Sequence, residues 1–587
     1  MRNILRSSAF ALASSFVVAG CSGGGAGAPA VHSLSSTAST HVSAPATIGS
    51  AVAPMAIPKT LDDFRAGLHR DSTTSSGSGA GFAYTSPVIP GSDGQPLPSY
   101  VVTPTGQGNG PFPLVLMPTS WALPDIEYLV PGALLASSGY VCLLYTSRGF
   151  YSAGGTIDIA GPATMADVTT LINWALANTP SDPKRIGMVG ISYGAGISVL
   201  ATAFDPRVRV ASGMSAWTDL GASFDPNQTV STQAGDVLAL SAELTGKPGP
   251  YLQQITNDLY TLQTTNNINS VNIPADLAEA PPRSAITYIN QINANHPAIL
   301  ISNGWNDSLF PPSQFIPFFS ELTGAKQLDL TLGDHGSNDA LGLIGISDQP
   351  WQQTTLWLNH YLQGAANGIN QENPFQLTDI ETKAVRTYPT WAAVSHPSTT
   401  YLSQPSGLFT PTGSLGSSPA TGWRDSIAAG VATIANSGTI EISGILQQFF
   451  SIPIGVSEPL INRANAGVWD SPWYWSPTVV QGSPELHLTV TPSSPDVALF
   501  AYLYDVDPLG LGGLLTCKPY TILNARPGVA QTIDFNLEPT AWTVPAGDHL
   551  TLVIGTVDAR WFSASTQGTT VTFSSPPGNP SWLNVPL

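Results

Sequence analysis

Charged side chains are scarce in this sequence. Asp, Glu, Lys and Arg make up 10% of its 587 residues, and only 20 residues are Lys or Arg, so the formal net charge at pH 7 is −18. A surface with so few cations attracts neither phosphate backbones nor anionic headgroups. The composition therefore argues against nucleic acid and anionic lipid as partners.

Cysteine is rarer still, with 3 residues in the whole chain, and no Cys and His residues stand at the spacing of zinc sites. We therefore expect no structural metal, and the chemistry inferred below needs no cofactor. Cys142 and Cys517 fall in different predicted domains, so we expect two buried free thiols instead of a disulfide.

Apolar runs of roughly 18 to 20 residues, long enough to span a bilayer, are also lacking. The N-terminus carries a shorter pattern of two arginines, an apolar stretch over residues 9–18 and Val-Ala-Gly before Cys21. This pattern predicts a signal peptide over residues 1–21. The junction resembles a bacterial lipoprotein box, in which Cys21 is lipidated and becomes the mature N-terminus. An ordinary secretory signal is the alternative.

Residues 22–57 are small and polar without periodicity, which predicts a flexible linker. From the leader and the linker we expect an exported protein, periplasmic or on the cell surface. Its membrane attachment would be by the N-terminal lipid only.

Glycine and proline, in contrast, are abundant, and the length predicts two to four domains. Between residues 58 and 368, short apolar runs rich in β-branched residues alternate with helix-length segments. The runs are 112–118, 140–146, 185–191, 208–214, 298–304 and 328–334, and helical spacing is clearest over 160–178 and 350–363. Continuous apolarity suits strands covered on both faces, so the pattern predicts an α/β domain with a doubly wound parallel sheet.

One serine stands at the end of a predicted strand. Ser192 lies in "RIGMVGISYGAGISVLATA", between a β-rich run and a helix-competent run. Glycines at 190 and 194 permit the strained strand-to-helix turn that exposes a nucleophilic hydroxyl, and the turn aims the backbone N–H of Tyr193 at a reacting carbonyl. The alternative is a glycine-rich phosphate turn, but no lysine follows Gly194. The pattern Gly-x-Ser-x-Gly also occurs at residues 20–24, but there it stands at the start of a low-complexity run, with no predicted strand before it and no predicted helix after it.

A serine nucleophile needs a base and an acid, in the chain order serine, acid, histidine for this fold. Asp307 and His335 each follow a predicted strand, so two loops at the carboxyl edge of one sheet can bring them to Ser192. The other downstream histidines lie in a helix or in the later β-rich region: His360, His396, His487 and His549. Asp334 and Asp339 flank the histidine too closely to approach its far nitrogen.

About 115 residues separate Ser192 from Asp307, far more than one strand-helix unit requires. The excess predicts a helical cap insertion at about 221–292, where substrate choice would be made. From 369 to 587, alternating apolar runs between Pro and Gly turns predict an all-β sandwich domain. A carbohydrate-binding or adhesive role is common for such a domain.

Several segments together resemble the family of X-Pro dipeptidyl-peptidases and cocaine-esterase-type (CocE/NonD) acyl hydrolases. They are "SRGFYSAGG" (147–155), "GISYGAG" around Ser192, "NGWNDSLFPP" around Asp307, "WLNHYLQG" (357–364), and the β-rich stretches 483–510 and 544–562. The resemblance implies an α/β-hydrolase fold with a C-terminal jelly-roll domain, here 369–587, that completes one wall of the site. It also implies a serine hydrolase whose catalytic residues are Ser192, Asp307 and His335.

The sequence departs from this family at the oxyanion hole. Where cocaine-esterase-type enzymes place a tyrosine after the third strand, this chain has Thr119, Ser120 and Trp121. We expect a backbone N–H or the Ser120 hydroxyl to act in its place, and the alternative is that the carbonyl is held differently. An X-Pro dipeptidase also needs acidic residues for the substrate amine. Asp219 and Asp225 are candidates by position, although cap-hinge or turn roles suit them equally.

We therefore predict hydrolysis of carboxylic ester or amide bonds in a small molecule or short peptide, through an acyl-enzyme. An X-Pro dipeptidyl-peptidase is the alternative within the same chemistry. A distant alternative is an inactive surface binding protein whose β-domain engages a polymer.

Overall fold

A mixed sheet with a parallel centre organises the first part of the computed structural model, which describes residues 76–79 and 81–587. Its strands are β1 (Ser76–Gly79), β2 (Phe82–Thr85), β3 (Val88–Pro90), β4 (Pro96–Pro104), β5 (Phe112–Pro118), β6 (Val141–Tyr145), β7 (Ser181–Ile191), β8 (Val208–Met214), β9 (Ala298–Gly304), β10 (Lys326–Thr331), β11 (Phe375–Thr378) and β12 (Val385–Tyr388). The predicted signal peptide, the lipidation residue Cys21 and the linker lie outside the described residues.

The strand order is β1-β2-β4-β6-β5-β7-β8-β9-β10-β11-β12, with β3 beside β4, and the pairs from β6 to β11 are parallel. The central strands are buried over nearly their whole length, as continuous apolar runs predict. The runs at 112–118, 208–214 and 298–304 have the predicted bounds, whereas the last strand begins two residues earlier than predicted.

Helices cover both faces of this sheet. Their bounds are α1 (Leu129–Ser137), α2 (Pro162–Asn178), α3 (Tyr193–Phe204), α4 (Leu220–Phe224), α5 (Thr232–Thr245), α6 (Pro250–Thr265), α7 (Ile273–Leu277), α8 (Ile289–Asn295), α9 (Phe315–Glu321), α10 (Ala340–Leu343) and α11 (Gln349–Gln363). Helices α2 and α3 bury their apolar side chains in one core, and α1 and α11 bury theirs in another. The domain is therefore doubly wound. Helices α4 to α8 lie between β8 and β9, where the sequence predicts the cap.

The C-terminal part of the chain is built from β-strands. They are β13 (Pro397–Leu402), β14 (Gly413–Gly416), β15 (Trp423–Ala428), β16 (Gly455–Ser457), β17 (Gly467–Asp470), β18 (Thr478–Gly482), β19 (Glu485–Pro492), β20 (Val497–Val506), β21 (Leu511–Ile522), β22 (Gln531–Asn536), β23 (Thr540–Val544), β24 (His549–Gly555), β25 (Thr570–Ser575) and β26 (Trp582–Pro586). One helix, α12 (Ile442–Phe450), interrupts them. A domain rich in β-strands thus follows the α/β domain, and the predicted fold class is confirmed. Trp469 is fully buried in its core.

The first sheet continues beyond residue 368, where the sequence predicts the domain boundary. Strand β11 pairs in parallel with β10, placing Phe375 opposite Leu328, and β12 pairs with β11. Two short strands after a long helix carry little sequence signal, and β11 pairs with β10, which precedes that helix in the chain.

Short 3-10 turns connect the elements at Asp125–Tyr128, Pro226–Gln228, Ile268–Ser270, Pro281–Arg283, Ala285–Tyr288, Pro312–Gln314, Ile369–Gln371, Trp391–Ala393 and Glu458–Leu460. Within the described residues, no helix has both the length and the apolarity to cross a membrane. Cys142 and Cys517 are buried and unpaired, as predicted.

A buried ion pair fixes the loop after β6. The guanidinium of Arg148 donates from Nε and Nη2 to the Asp167 carboxylate at 2.7 and 3.0 Å, and Nη2 also reaches Asp93 at 3.2 Å. The Arg148 and Asp167 side chains are 5% and 2% exposed, whereas Asp93 is half-exposed.

Arg148→Met should lower the free energy of unfolding by about 3–5 kcal/mol, because Asp167 would remain as an unpaired buried charge. Asp93→Asn, the matched control, should change it by less than about 1 kcal/mol because its carboxylate is partly solvated. Denaturant unfolding of both variants checks this, and equal losses would contradict it.

Candidate active site

The turn between β7 and α3 holds Ser192 in a strained conformation, with φ 54° and ψ −117°. Two glycines allow the close approach of strand and helix. A Cβ on Gly194 would lie 2.0 Å from the carbonyl oxygen of Pro118, and one on Gly190 would lie 2.3 Å from the carbonyl carbon of Gly194. No other residue fits at either position, so the turn has the geometry of a nucleophile elbow.

The structure brings the three predicted catalytic side chains together. His335 Nε2 lies 2.7 Å from Ser192 Oγ, and His335 Nδ1 lies 3.1 Å from each carboxylate oxygen of Asp307. Asp307 follows β9 and His335 follows β10, both at the carboxyl edge of the sheet. This is the arrangement in which an imidazole accepts the serine proton while a carboxylate orients the ring.

The loop around Asp307 holds the carboxylate in place. Its Oδ1 accepts hydrogen bonds from the backbone N–H groups of Leu309 at 3.0 Å and Phe310 at 2.7 Å. The ring of Phe310 meets the imidazole of His335 edge to face, with centroids 5.1 Å apart. Both the acid and the ring are therefore held in one orientation before substrate arrives.

Burial and charge act in opposite directions on His335, which is 7% exposed. Burial disfavours the imidazolium, but the nearby Asp307 carboxylate outweighs it, and Glu441 and Asp339 add to its effect. Together these groups raise the pKa of His335 above its ordinary value. The enclosed site thus stabilises the imidazolium that forms during proton transfer.

The two aspartates that flank His335 in sequence have other partners. Asp334 Oδ1 accepts from the backbone N–H of His335 at 2.8 Å and of Ser308 at 2.9 Å, which ties the histidine loop to the acid loop. Asp339 accepts from the Ser215 hydroxyl at 3.0 Å. Neither carboxylate contacts the imidazole Nδ1 within hydrogen-bonding distance.

The candidate oxyanion residues after β5 differ in whether their N–H and O–H groups are already hydrogen-bonded within the protein. The Thr119 N–H donates to the Tyr145 carbonyl at 3.2 Å. The Ser120 N–H donates to Glu127 Oε2 at 2.8 Å, and its hydroxyl donates to Glu127 Oε1 at 2.5 Å. The Ser120 hydroxyl thus lies within hydrogen-bonding distance of the Glu127 carboxyl and, at 3.0 Å, of the Ile191 carbonyl oxygen, and its role as an oxyanion donor stays a prediction.

Glu127 is a site residue that sequence reasoning missed. It is only partly exposed, and burial raises the pKa of its carboxyl above the ordinary value. Glu127 lies in a 3-10 turn and does not follow a predicted strand, so the sequence pattern does not mark it as a site residue. The path of the loop places its carboxyl beside Ser120. Its position supports the loop from which Trp121 extends.

Trp121 links this loop to the cap. Its indole N–H donates to the Leu238 carbonyl at 3.1 Å on α5, and its ring packs edge to face on Phe150 and Tyr193. Among the described residues, none accepts a hydrogen bond from the backbone N–H of Trp121 or Tyr193. These two N–H groups remain as donors beside the elbow.

The acidic residues considered for a substrate amine bracket the short helix α4. Asp219 caps its N-terminus by accepting from the Ala222 N–H at 3.0 Å, and Asp225 caps its other end. Burial raises the pKa of Asp225 to about 6. The contact of Asp219 fits a capping role, whereas Oδ1 of Asp225 is buried without a hydrogen-bond partner among the described residues.

The β-domain packs against the catalytic loops. The Gly444 N–H of α12 donates to Asp334 Oδ2 at 3.2 Å, the Glu441 N–H donates to the Ser308 hydroxyl at 3.0 Å, and Arg560 donates to the Ser308 carbonyl at 3.0 Å. The second domain is therefore part of the framework that positions the acid and the histidine.

The fold and the elbow define the class of protein: an α/β-hydrolase enzyme of the serine hydrolase type. The model of the X-Pro dipeptidyl-peptidase (S15) family matches residues 93–337. The model of the X-Pro dipeptidyl-peptidase C-terminal non-catalytic domain matches residues 367–581. The two models together cover most of the chain, which therefore belongs to the X-Pro dipeptidyl-peptidase family.

Solved structures share this two-domain fold at low identity. An aminopeptidase from a marine sediment Thaumarchaeota archaeon has a TM-score of 0.67 at 15% identity, over 86% of this chain and 96% of its own. A CocE/NonD family hydrolase from Staphylococcus aureus has a TM-score of 0.63 at 12% identity, over 87% and 97%. An α-amino acid ester hydrolase also scores 0.63, at 15% identity, over 86% and 96%.

Among curated proteins, a polyketide transferase from a Penicillium species is 25% identical over 179 residues, which is 30% of this chain. The match spans 56% of the length of that relative. It therefore carries no argument about the activity of the whole chain.

Gly194→Ala should prevent the native elbow, because its methyl group would overlap the Pro118 carbonyl oxygen. We expect a loss of unfolding free energy of about 3 kcal/mol or more from the displaced turn. Thermal unfolding measures the loss. Gly336→Ala is the control, because its Cβ would meet no atom within 4 Å, although its φ of 69° adds some strain. A melting temperature equal to the wild type for Gly194→Ala would contradict this account.

The rate of labelling by a fluorophosphonate should rise with pH, with a midpoint above 6.5, the ordinary pKa of histidine. Only the neutral imidazole accepts the serine proton, and a raised pKa moves its appearance to higher pH. Asp307→Asn should move the midpoint down, since the carboxylate that stabilises the imidazolium is gone. A wild-type midpoint at or below 6.5 would contradict the electrostatic argument.

Proposed function

We propose that this protein hydrolyses carboxylic ester or amide bonds with Ser192 as nucleophile, His335 as general base and Asp307 as the group that orients the imidazole. The observation that carries the proposal is the 2.7 Å contact between His335 Nε2 and Ser192 Oγ on a strained elbow. A serine hydroxyl is a weak nucleophile without such a base.

The reaction proceeds in two halves. Ser192 Oγ attacks the carbonyl carbon as its proton passes to His335 Nε2, and the imidazolium then protonates the leaving alcohol or amine as the bond to it breaks. Water attacks the resulting acyl-enzyme, giving one proton to His335, which returns it to Ser192 as the acid leaves.

Two backbone N–H groups are proposed as the oxyanion hole. Tyr193 is the first residue of α3, so its N–H points out of the helix N-terminus, where negative charge is stabilised. Trp121 offers the second N–H from the loop that Glu127 holds. Thr119 and Ser120 support this loop.

An X-Pro dipeptidyl-peptidase is a second candidate, because both matching family models carry that description. Such an enzyme has to hold the free amine of its substrate, and Asp219 has its carboxylate engaged as a helix cap. We therefore favour an ester or amide with a modest acyl group. Paired assays of an aryl ester and an X-Pro anilide distinguish the two.

We further propose that the enzyme is exported and anchored to a bacterial membrane by a lipid on Cys21. The lipoprotein-box pattern before Cys21 supports this proposal. Mass spectrometry of the mature N-terminus tests it.

The first experiment on catalysis labels the chain from residue 22 with a fluorophosphonate and maps the modified peptide. We expect labelling at Ser192, and a fall of about 10³-fold or more in rate for His335→Ala. His360→Ala is the matched control. This imidazole lies in α11 and bonds the Ala365 carbonyl at 2.8 Å, so labelling should be unchanged. No labelling of folded wild-type protein would contradict the proposal and favour the binding-protein alternative.

A further inference from the structure

Helix α12 turns its apolar side outward. The exposed apolar side chains are those of Ile442, Leu446, Phe449, Phe450 and, just beyond the helix, Ile452, and each is between 38% and 66% exposed. Positions 442, 446, 449 and 450 recur at the spacing of one helix face. We call these five residues the α12 apolar face.

The opposite side of the helix is polar and faces the protein. Gly444 and Gln447 are buried there. The side-chain amide oxygen of Gln447 accepts from Asn306, and that of Gln448 accepts from the Ser337 hydroxyl at 2.7 Å. A surface helix normally buries its apolar face and exposes its polar one. This helix is inverted, so its outer surface has the composition of a contact face.

The α12 apolar face adjoins the catalytic machinery. The Gly444 N–H binds Asp334 Oδ2, and the other oxygen of that carboxylate binds the backbone of His335 and Ser308. Whatever covers the outer side of α12 therefore lies one helix thickness from the loops that carry the acid and the base.

The charge distribution indicates the chemistry of the partner. Residues 442–457 include no Asp, Glu, Lys or Arg, and no Lys or Arg occurs between Arg424 and Arg463. Binding to anionic headgroups requires Lys or Arg, which this surface lacks. Binding to the interface of a bilayer without net charge can rest on apolar side chains alone. Phenylalanine and isoleucine at the outer rim are the side chains that partition into the headgroup and acyl boundary of a bilayer.

We propose that the α12 apolar face docks on a zwitterionic phospholipid surface and so holds the catalytic cleft beside the membrane. The proposed lipid anchor is the reason for choosing this occupant. About 55 residues separate Cys21 from Ser76, a span of at most about 180 Å when extended, so an anchored chain can bring this face to the bilayer. The docking does not depend on the catalytic roles assigned above.

Vesicle flotation tests the proposal with the chain from residue 22, which has no lipid anchor. The folded part is retained, since Asp71–Leu587 form one compact unit. We expect the protein to float with phosphatidylcholine vesicles, and Phe449→Ser with Phe450→Ser to lower the bound fraction at least about tenfold. Leu408→Ser with Phe409→Ser is the matched control. These two adjacent residues lie in the same domain but outside α12, and they are 87% and 90% exposed, so the substitutions remove similar apolar surface elsewhere.

The hydrolysis of a soluble aryl ester is measured in parallel and should be equal in all three proteins, which separates loss of docking from loss of folding or catalysis. If the wild-type protein does not float, or both pairs of substitutions reduce flotation equally, the proposal is wrong. A wild-type dimer that Phe449→Ser with Phe450→Ser dissociates in light scattering would also overturn it, since the occupant would then be a second copy of the chain.

Discussion

The close contact between the start of α3 and the end of β5 is the constraint on which the site depends. The helix can begin directly after β7 only because Gly194 lies against the Pro118 carbonyl without a side chain. This contact forces Ser192 to a positive φ and lifts its hydroxyl above the sheet edge. His335, Asp307 and the loop after β5 are all arranged around that raised hydroxyl.

The β-domain takes part in this arrangement through its contacts with Ser308 and with the Asp334 carboxylate. Asp334 receives hydrogen bonds from the acid loop, the histidine backbone and α12. A buried carboxylate with several donors is costly to disturb, because any lost partner leaves charge without solvation. The relative position of Asp307 and His335 therefore depends on two domains that are far apart in sequence.

The site is buried and rich in carboxyl groups. Asp307, Asp339 and Glu441 surround an imidazole that is nearly inaccessible, and together they favour its protonated form. A low-dielectric pocket strengthens these interactions. Helix α12 adds to this burial, because its polar side packs against the loop that carries His335. Its apolar side faces outward.

The sequence by itself determined the alternating strands and helices around the site and the order of its three catalytic candidates. Ser192 between glycines, with Asp307 and His335 after later strands, is a local signal, because strand, turn and helix preferences depend on near neighbours. The tertiary structure alone decided three features: Glu127 takes the Ser120 hydroxyl, β11 and β12 extend the first sheet, and α12 presents its polar side to the protein. Each depends on how loops, strands and helices pack in space, and no hydrophobic periodicity in the sequence reveals it.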